Sequence, residues 1–232
     1  MTSQLDERAL AAMRLFKGVN DEAMAAAAER ARTHRWPRAA VLFNQGDDGV
    51  RAHIVIEGAV RIVQSGSDGA QSLMRLVGPG EIFGAVALFT DGRYPADAVA
   101  VSETLEASWS EADLAALMHA YPEVAINFVR TVGARLQETQ NRVRELATQS
   151  APRRLASALV RLARQAGERS DEGILISFAL RRIDVAALSG TTLYTASRLL
   201  SAWERAGWIE SRSQHIRLVK PQAIERIAEH SR

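Results

Sequence analysis

Between Arg182 and Arg205 one short span gathers polar groups of the kind that read nucleic acid. Tyr194, Thr195, Ser197, Arg198 and Ser201 fall on one side of a predicted helix, opposite Leu193, Ala196, Leu199, Leu200 and Trp203. An arginine near the start of such a helix can give two parallel hydrogen bonds to guanine O6 and N7, and Arg198 is placed for this. Thr191, Thr192, Ser201 and Arg205 suit phosphate oxygens, which fix position without reading sequence. The spacing predicts helices over 182–188 and 192–205. Ala186 and Ala196 are small enough for close helix contact, and Gly190 supplies the left-handed residue of a tight turn. Thr191 or Thr192 can cap the second helix. A hairpin in GWIESRSQHIRLV, with Arg212 and Ser213 at its tip, adds a wing.

Other chemistries find few residues to work with. The chain has 232 residues and no cysteine, which excludes disulfides, thiol catalysis and cysteine-held iron–sulfur clusters. No converging set of histidines and a carboxylate marks a barrel metalloenzyme, and neither a phosphate-binding glycine loop nor a strand–Gly-x-Ser-x-Gly–helix pattern occurs, so an enzyme is not expected. No stretch approaches the roughly 20 apolar residues of a membrane span, and the first residues do not read as a secretory signal. A cytoplasmic protein is expected.

The elements that must position the polar face follow from pattern and charge. Residues 148–232 carry 14 Arg and Lys against 8 Asp and Glu, whereas residues 1–147 carry 15 against 19. An acidic front and a basic back suggest two modules, the second facing polyanions. Two Ala-rich segments between 5 and 35 read as helices. From 36 to 110, short apolar runs punctuated by Gly58, Gly66, Gly69, Gly80, Gly84 and Gly92 read as a small antiparallel barrel or jelly roll. After Pro122 a long helix repeats apolar residues at Val129, Val132, Leu136, Thr139, Val143 and Leu146, with Thr139 the one polar step. That seam predicts a parallel homodimer. The fold class is α+β, with helices and a roll over 1–120, a dimerisation helix and hinge over 121–150, and a winged helix-turn-helix over 151–232.

The segments LFNQGD, GEIFGAVALF and LSGTTLYTASRLLSAWERAGWI resemble the CRP/FNR family of bacterial transcription regulators, and the resemblance spans nearly the whole chain. It implies a cytoplasmic homodimer on a two-fold-symmetric duplex with half-sites about 34 Å apart, and contact with RNA polymerase if the protein activates. Arg198 matches the family's guanine-reading arginine, Ser197 the serine before it in the FNR-like branch, and Arg182 and Thr195 fall where the family touches DNA. Tyr194 departs from the glutamate common there. In cyclic-AMP-binding members a ribose glutamate and a phosphate Arg-Ser pair follow the motif that ends at Gly84. Here those positions are Ala85, Pro95 and Ala96, with Arg93 nearby, so cyclic AMP is not expected as ligand. The recognition helix and the YPADA segment look most like the NnrR/Dnr branch, which responds to nitric oxide. That likeness implies a haem in the roll, with His53 the first candidate for axial ligand ahead of His34 and His119. His215 and His230 lie in the wing and the tail. A non-haem small molecule, or no effector, is the alternative. In the family's scheme, effector contacts select one register of the seam from Val132 to Val143.

Overall fold

The computed structural model describes residues 10–66 and 71–229, so Gly69 and His230 lie outside the described residues. The fold is α+β with antiparallel sheets, built as two compact units that divide within one long helix, at Glu138/Thr139. Each half of that helix therefore goes with one unit.

In the first unit, a 3-10 turn at Arg14–Phe16 precedes helix α1 (Asp21–Arg30), capped by Asn20, whose Oδ1 accepts from the Ala23 amide at 2.9 Å. The two helices expected up to residue 35 end earlier. Residues Arg32–Trp36 form strand β1, paired along its length with β8 (Thr104–Ser110), so sheet pairing overrides the helical pattern of the preceding alanines. One sheet runs β1-β8-β3-β6, with β3 at Arg51–Glu57 and β6 at Ile82–Phe83. The other runs β2-β7-β4-β5, with β2 at Val41–Phe43, β4 at Val60–Ser65, β5 at Gln71–Val77 and β7 at Asp97–Ala100.

The two faces of the first sheet have different work. Ala52, Ile54, Ile82, Ala107 and Trp109 face the N-terminal turn, α1, helix α2 (Glu111–Ala120) and the start of helix α3 (Pro122–Thr148). Trp109 is fully buried and its indole N–H donates to the Ala27 carbonyl at 2.9 Å. The opposite face, with Val55, joins Phe43, Val60, Val77, Phe83, Tyr94 and Ala98 inside the roll.

The seam of α3 is solvent-facing in the single chain. Val129 is 68% exposed, Leu136 59% and Val143 63%, an apolar stripe along one side of the helix.

In the second unit, α4 (Ala151–Ala166) buries Leu155, Leu159 and Leu162 and stops at Gly167. Strands β9 (Gly167–Ser170), β10 (Gly173–Ile176), β11 (Ile209–Arg212) and β12 (His215–Leu218) form one antiparallel sheet in the order β11-β12-β10-β9, so the wing hairpin extends a larger sheet than expected. Helices α5 (Arg182–Leu188) and α6 (Leu193–Arg205) lie between β10 and β11, and α7 (Pro221–Glu229) packs on α4.

Candidate nucleic-acid interface and roll interior

The α5–turn–α6 unit is assembled as its sequence requires. Ala186 and Ala196 are buried at the helix crossing, and Gly190 turns the chain at φ +60°. Thr192 is the cap: its Oγ1 accepts from the Thr195 amide at 3.1 Å and lies 3.0 Å from the Thr195 hydroxyl. Its hydroxyl is thus already used within the helix start. Thr191 is half-buried, and its amide donates to the Ala186 carbonyl. Ala196, Leu200 and Trp203 are buried against the unit's core, while Leu193, expected on that face, is 46% exposed beside Tyr194 at 79%.

Arg198 is exposed on the outward face, and none of the ion pairs among the described residues involves it. Such a guanidinium is free of the competition that would weaken a base contact. Arg205 is also exposed, its Nε donating to the Ser201 carbonyl. Arg212 at the wing pairs with Glu210 at 2.7 Å, but its side chain is 83% exposed, so that pair contributes little and can exchange for phosphate.

Arg182, which falls where the family touches DNA, is engaged within the unit. Its guanidinium donates to the Ser197 carbonyl at 2.8 Å and the Ser201 hydroxyl at 3.0 Å, and it pairs with Glu204 at 3.2 Å. It is a brace between α5 and α6. Ser201 accepts within the same brace, and Ser197, half-buried, offers its carbonyl to it.

Three further residues hold the turn. Arg142 donates to the Ala187 carbonyl at 3.0 Å. Arg154 donates to the carbonyls of Ser189 at 2.9 Å and Gly190 at 3.0 Å. A Cβ on Gly190 would run into the Leu146 side chain. Sequence reasoning placed Leu146 in the dimer seam and left Arg142 outside it. No periodicity marks a side chain whose partner is a turn carbonyl 45 residues away.

Inside the roll, Gly84 is at φ +73°, and a Cβ there would meet His53 Cδ2 at 2.9 Å and Tyr94 Cε1 at 3.1 Å. Ala85 and Ala96 are buried and apolar. Pro95 is exposed, and Arg93, also exposed, pairs with Asp48 at 3.1 Å. These five positions bring no charge into the interior.

The polar chemistry lies instead on the inner face of β3 and β8. His53 is buried; its Nδ1 is 2.5 Å from Glu106 Oε2 and its Nε2 is 2.8 Å from the Tyr94 hydroxyl. The Tyr94 oxygen accepts from the Arg51 amide at 2.8 Å, and the Trp36 indole N–H donates to Glu106 Oε1 at 3.2 Å. One tautomer satisfies the chain: His53 donates from Nδ1 to Glu106 and accepts at Nε2 from Tyr94 O–H. Burial pushes the Tyr94 phenol above its ordinary range, and the bond from the Arg51 amide opposes this, so the hydroxyl stays a donor. Phe43 stacks on Tyr94 at 3.6 Å, and Phe83 on His53 at 5.1 Å.

Around His53 the described residues do not fit a haem. Both nitrogens of His53 are taken, and aromatic rings fill the space beside it. His34 and His119 are exposed, and His215 bonds the Ser213 carbonyl in the wing. The ligand role expected of His53 gives way to a structural one, the centre of the Glu106–His53–Tyr94 network. Glu106, Tyr94 and Arg51 were missed because their partners lie 41 to 57 residues apart.

Residues 33–121 match the family model of the cyclic nucleotide-binding domain, and residues 153–227 match that of the Crp-like helix-turn-helix domain. The chain is 31% identical to the cyclic AMP receptor protein of Thermus thermophilus, over 92% of this chain and 96% of that one. It is 26% identical to the CRP-like cAMP-activated global transcriptional regulator of Mycobacterium tuberculosis, over 94% and 98%. The crystal structure of a CRP/FNR-family transcriptional regulator, also from Thermus thermophilus, superposes with a TM-score of 0.70 at 26% identity, covering 86% of this chain and 99% of that one.

Proposed function

The chain belongs to the CRP/FNR family of DNA-binding transcription regulators, and on that premise we propose that it acts as a homodimer on a two-fold-symmetric duplex, each α6 lying in one major groove. The observation that carries this reading is Arg198, exposed and without an ion pair, on a helix whose buried face and turn are fully packed. Arg198 reads guanine by a two-pronged bond. Tyr194 and Leu193 offer apolar surface to thymine methyl groups. Arg205 and Arg212 meet phosphates, while Arg182 and Thr192 position the helix. The exposed stripe from Val129 to Leu146 supports the dimer, since pairing two copies removes it from water.

A small molecule other than haem is the effector this reading favours, because the roll interior keeps a buried polar network that apolar packing alone would not require. The Thermus and Mycobacterium relatives are named for cyclic AMP. In this chain Ala85, Pro95 and Ala96 give a cyclic phosphate no countercharge, and Arg93 is turned to Asp48. Among the described residues, no histidine of the roll interior has a ring nitrogen free to support nitric oxide sensing through haem.

The test is selection of a duplex from a random pool, followed by fluorescence anisotropy across a salt series. A palindromic site, two chains per duplex, and affinity falling steeply with salt are expected. One chain per duplex, or a selected site without two-fold symmetry, overturns the reading.

A further inference from the structure

Beside the buried network the roll opens into a cleft of about 620 Å³ between β1, β2 and the inner face of β3 and β8. That is within the range of small-molecule sites. Its walls include Arg32, His34, Trp36, Phe43, Arg51 and Glu106, and it is lined by none of the five positions from Gly84 to Ala96 where a nucleotide was weighed. We propose that this cleft binds a small planar organic anion, an aromatic carboxylate, with its charge between Arg32 and Arg51 and its ring against Trp36 and Phe43.

Three carboxylates and two arginines line the cleft. Asp48 is paired with Arg93, while Asp47 and Glu106 are held by N–H donors of Asn44, His53 and Trp36. None of the ion pairs among the described residues involves Arg32 or Arg51. Arg51 donates Nε and Nη2 to the hydroxyl and carbonyl of Ser108, neutral acceptors that orient the guanidinium without cancelling its charge. Burial first, and then the nearby charge of Arg32, disfavour the Arg51 cation, with Asp113, Tyr94 and Glu106 opposing them in part. A carboxylate entering the cleft relieves that repulsion and meets a guanidinium fork suited to its two oxygens. The flat shape follows from the walls. Phe43 lies parallel to Tyr94 at 3.6 Å and 8°, and the His34 and Trp36 rings meet at 4.2 Å, so aromatic surfaces flank the cationic end. Tyr94 and Glu106, fixed by His53, lie on the same wall and suit a ring hydroxyl.

The inference deepens the effector reading without depending on it, because ligand binding is measured on the protein with no DNA present. Full-length protein is titrated with 4-hydroxybenzoate by calorimetry and by tryptophan fluorescence, with the uncharged 4-hydroxybenzamide as comparison. One saturable site per chain is expected, with the amide weaker by about tenfold or more. Arg51→Gln and Arg32→Gln should each weaken the carboxylate by about tenfold and leave the amide unchanged. Trp36→Phe should abolish the fluorescence change while calorimetry still registers binding. The proposal is overturned if 4-hydroxybenzoate gives no saturable heat, if the amide binds as well as the carboxylate, or if Arg32→Gln binds like the parent. Arg32 is exposed, so a folding defect cannot account for a loss there. A failed DNA selection leaves this result standing, and a failed titration leaves the DNA reading standing.

Discussion

The helix-turn-helix and the roll interior use their polar groups in opposite ways. In the former, arginines brace from behind, with Arg142, Arg154 and Arg182 on carbonyls, so that Arg198 is left outward and unpaired. In the latter, a carboxylate, a histidine and a tyrosine satisfy one another out of water. A surface that reads a partner keeps its donors free over a rigid support. An interior that holds a shape must match every donor it buries.

The sharpest way to break the comparison is at Glu106. Glu106→Ala leaves the His53 Nδ1–H and the Trp36 indole N–H without their acceptor in a buried site. Leaving a buried donor without its acceptor costs about 1–3 kcal/mol for each group. Chemical denaturation should show the loss in the roll, with Glu106→Gln recovering part of it. If Glu106→Ala unfolds at the parent's denaturant concentration, the network is not holding the interior.

Next in size is Arg198→Ala, which should leave the melting curve unchanged and weaken the selected duplex by about 1–3 kcal/mol, relaxing choice at one base pair in each half-site. Anisotropy on duplexes altered at single positions measures this. A uniform loss across all sequences would make Arg198 a phosphate contact. Arg182→Ala is the contrasting variant: the brace reading requires it to lower stability as well as affinity.

Smaller again is Gly190→Ala. A left-handed backbone costs an alanine about 1–2 kcal/mol, and the Leu146 side chain must also move. Pairing the substitution with Leu146→Ala should recover only the contact, not the backbone cost. A double-mutant cycle with no coupling would show that the end of α3 does not support the turn.

The two regions also differed in how far they could be read from sequence. Ala186, Gly190, Thr192 and Ala196 lie within eleven residues, so one turn with one cap fixes them, and the helices fall where the pattern puts them. The outward placement of Arg198 was legible for the same reason. Arg182 was not, because its bonding depends on where Ser197, Ser201 and Glu204 stand on the next helix. In the roll, pairing brings β1 and β3 to either side of β8, so Arg51, His53, Glu106 and Trp36 meet only after the sheet has closed. Alternation with Val55 and Glu57 left the face of His53 ambiguous and said nothing of its neighbours. The helix predicted through residue 35 failed on the same ground, since β8 claims Arg32–Trp36 from across the sequence.

The wing offers the smallest effect and a direct gain. Its two-residue turn, Ser213-Gln214, runs at φ 49° and 66°, both left-handed, although neither residue is glycine. Such a turn matches the twist of the strands but favours Asn-Gly. The turn is also tied inward, because the Leu180 amide donates to the Gln214 carbonyl at 2.6 Å, a bond that glycine retains. Ser213→Asn with Gln214→Gly should therefore stabilise the second unit by about 0.5–1 kcal/mol by relieving the left-handed cost. Because Arg212 precedes the turn and keeps its register with His215, its phosphate contact should persist. Affinity for the selected duplex should then hold or rise slightly while the thermal midpoint climbs. A higher midpoint with weaker binding would mean that the wing must bend at Ser213 to reach the phosphate, so that the strained turn belongs to the reading surface and not to its support.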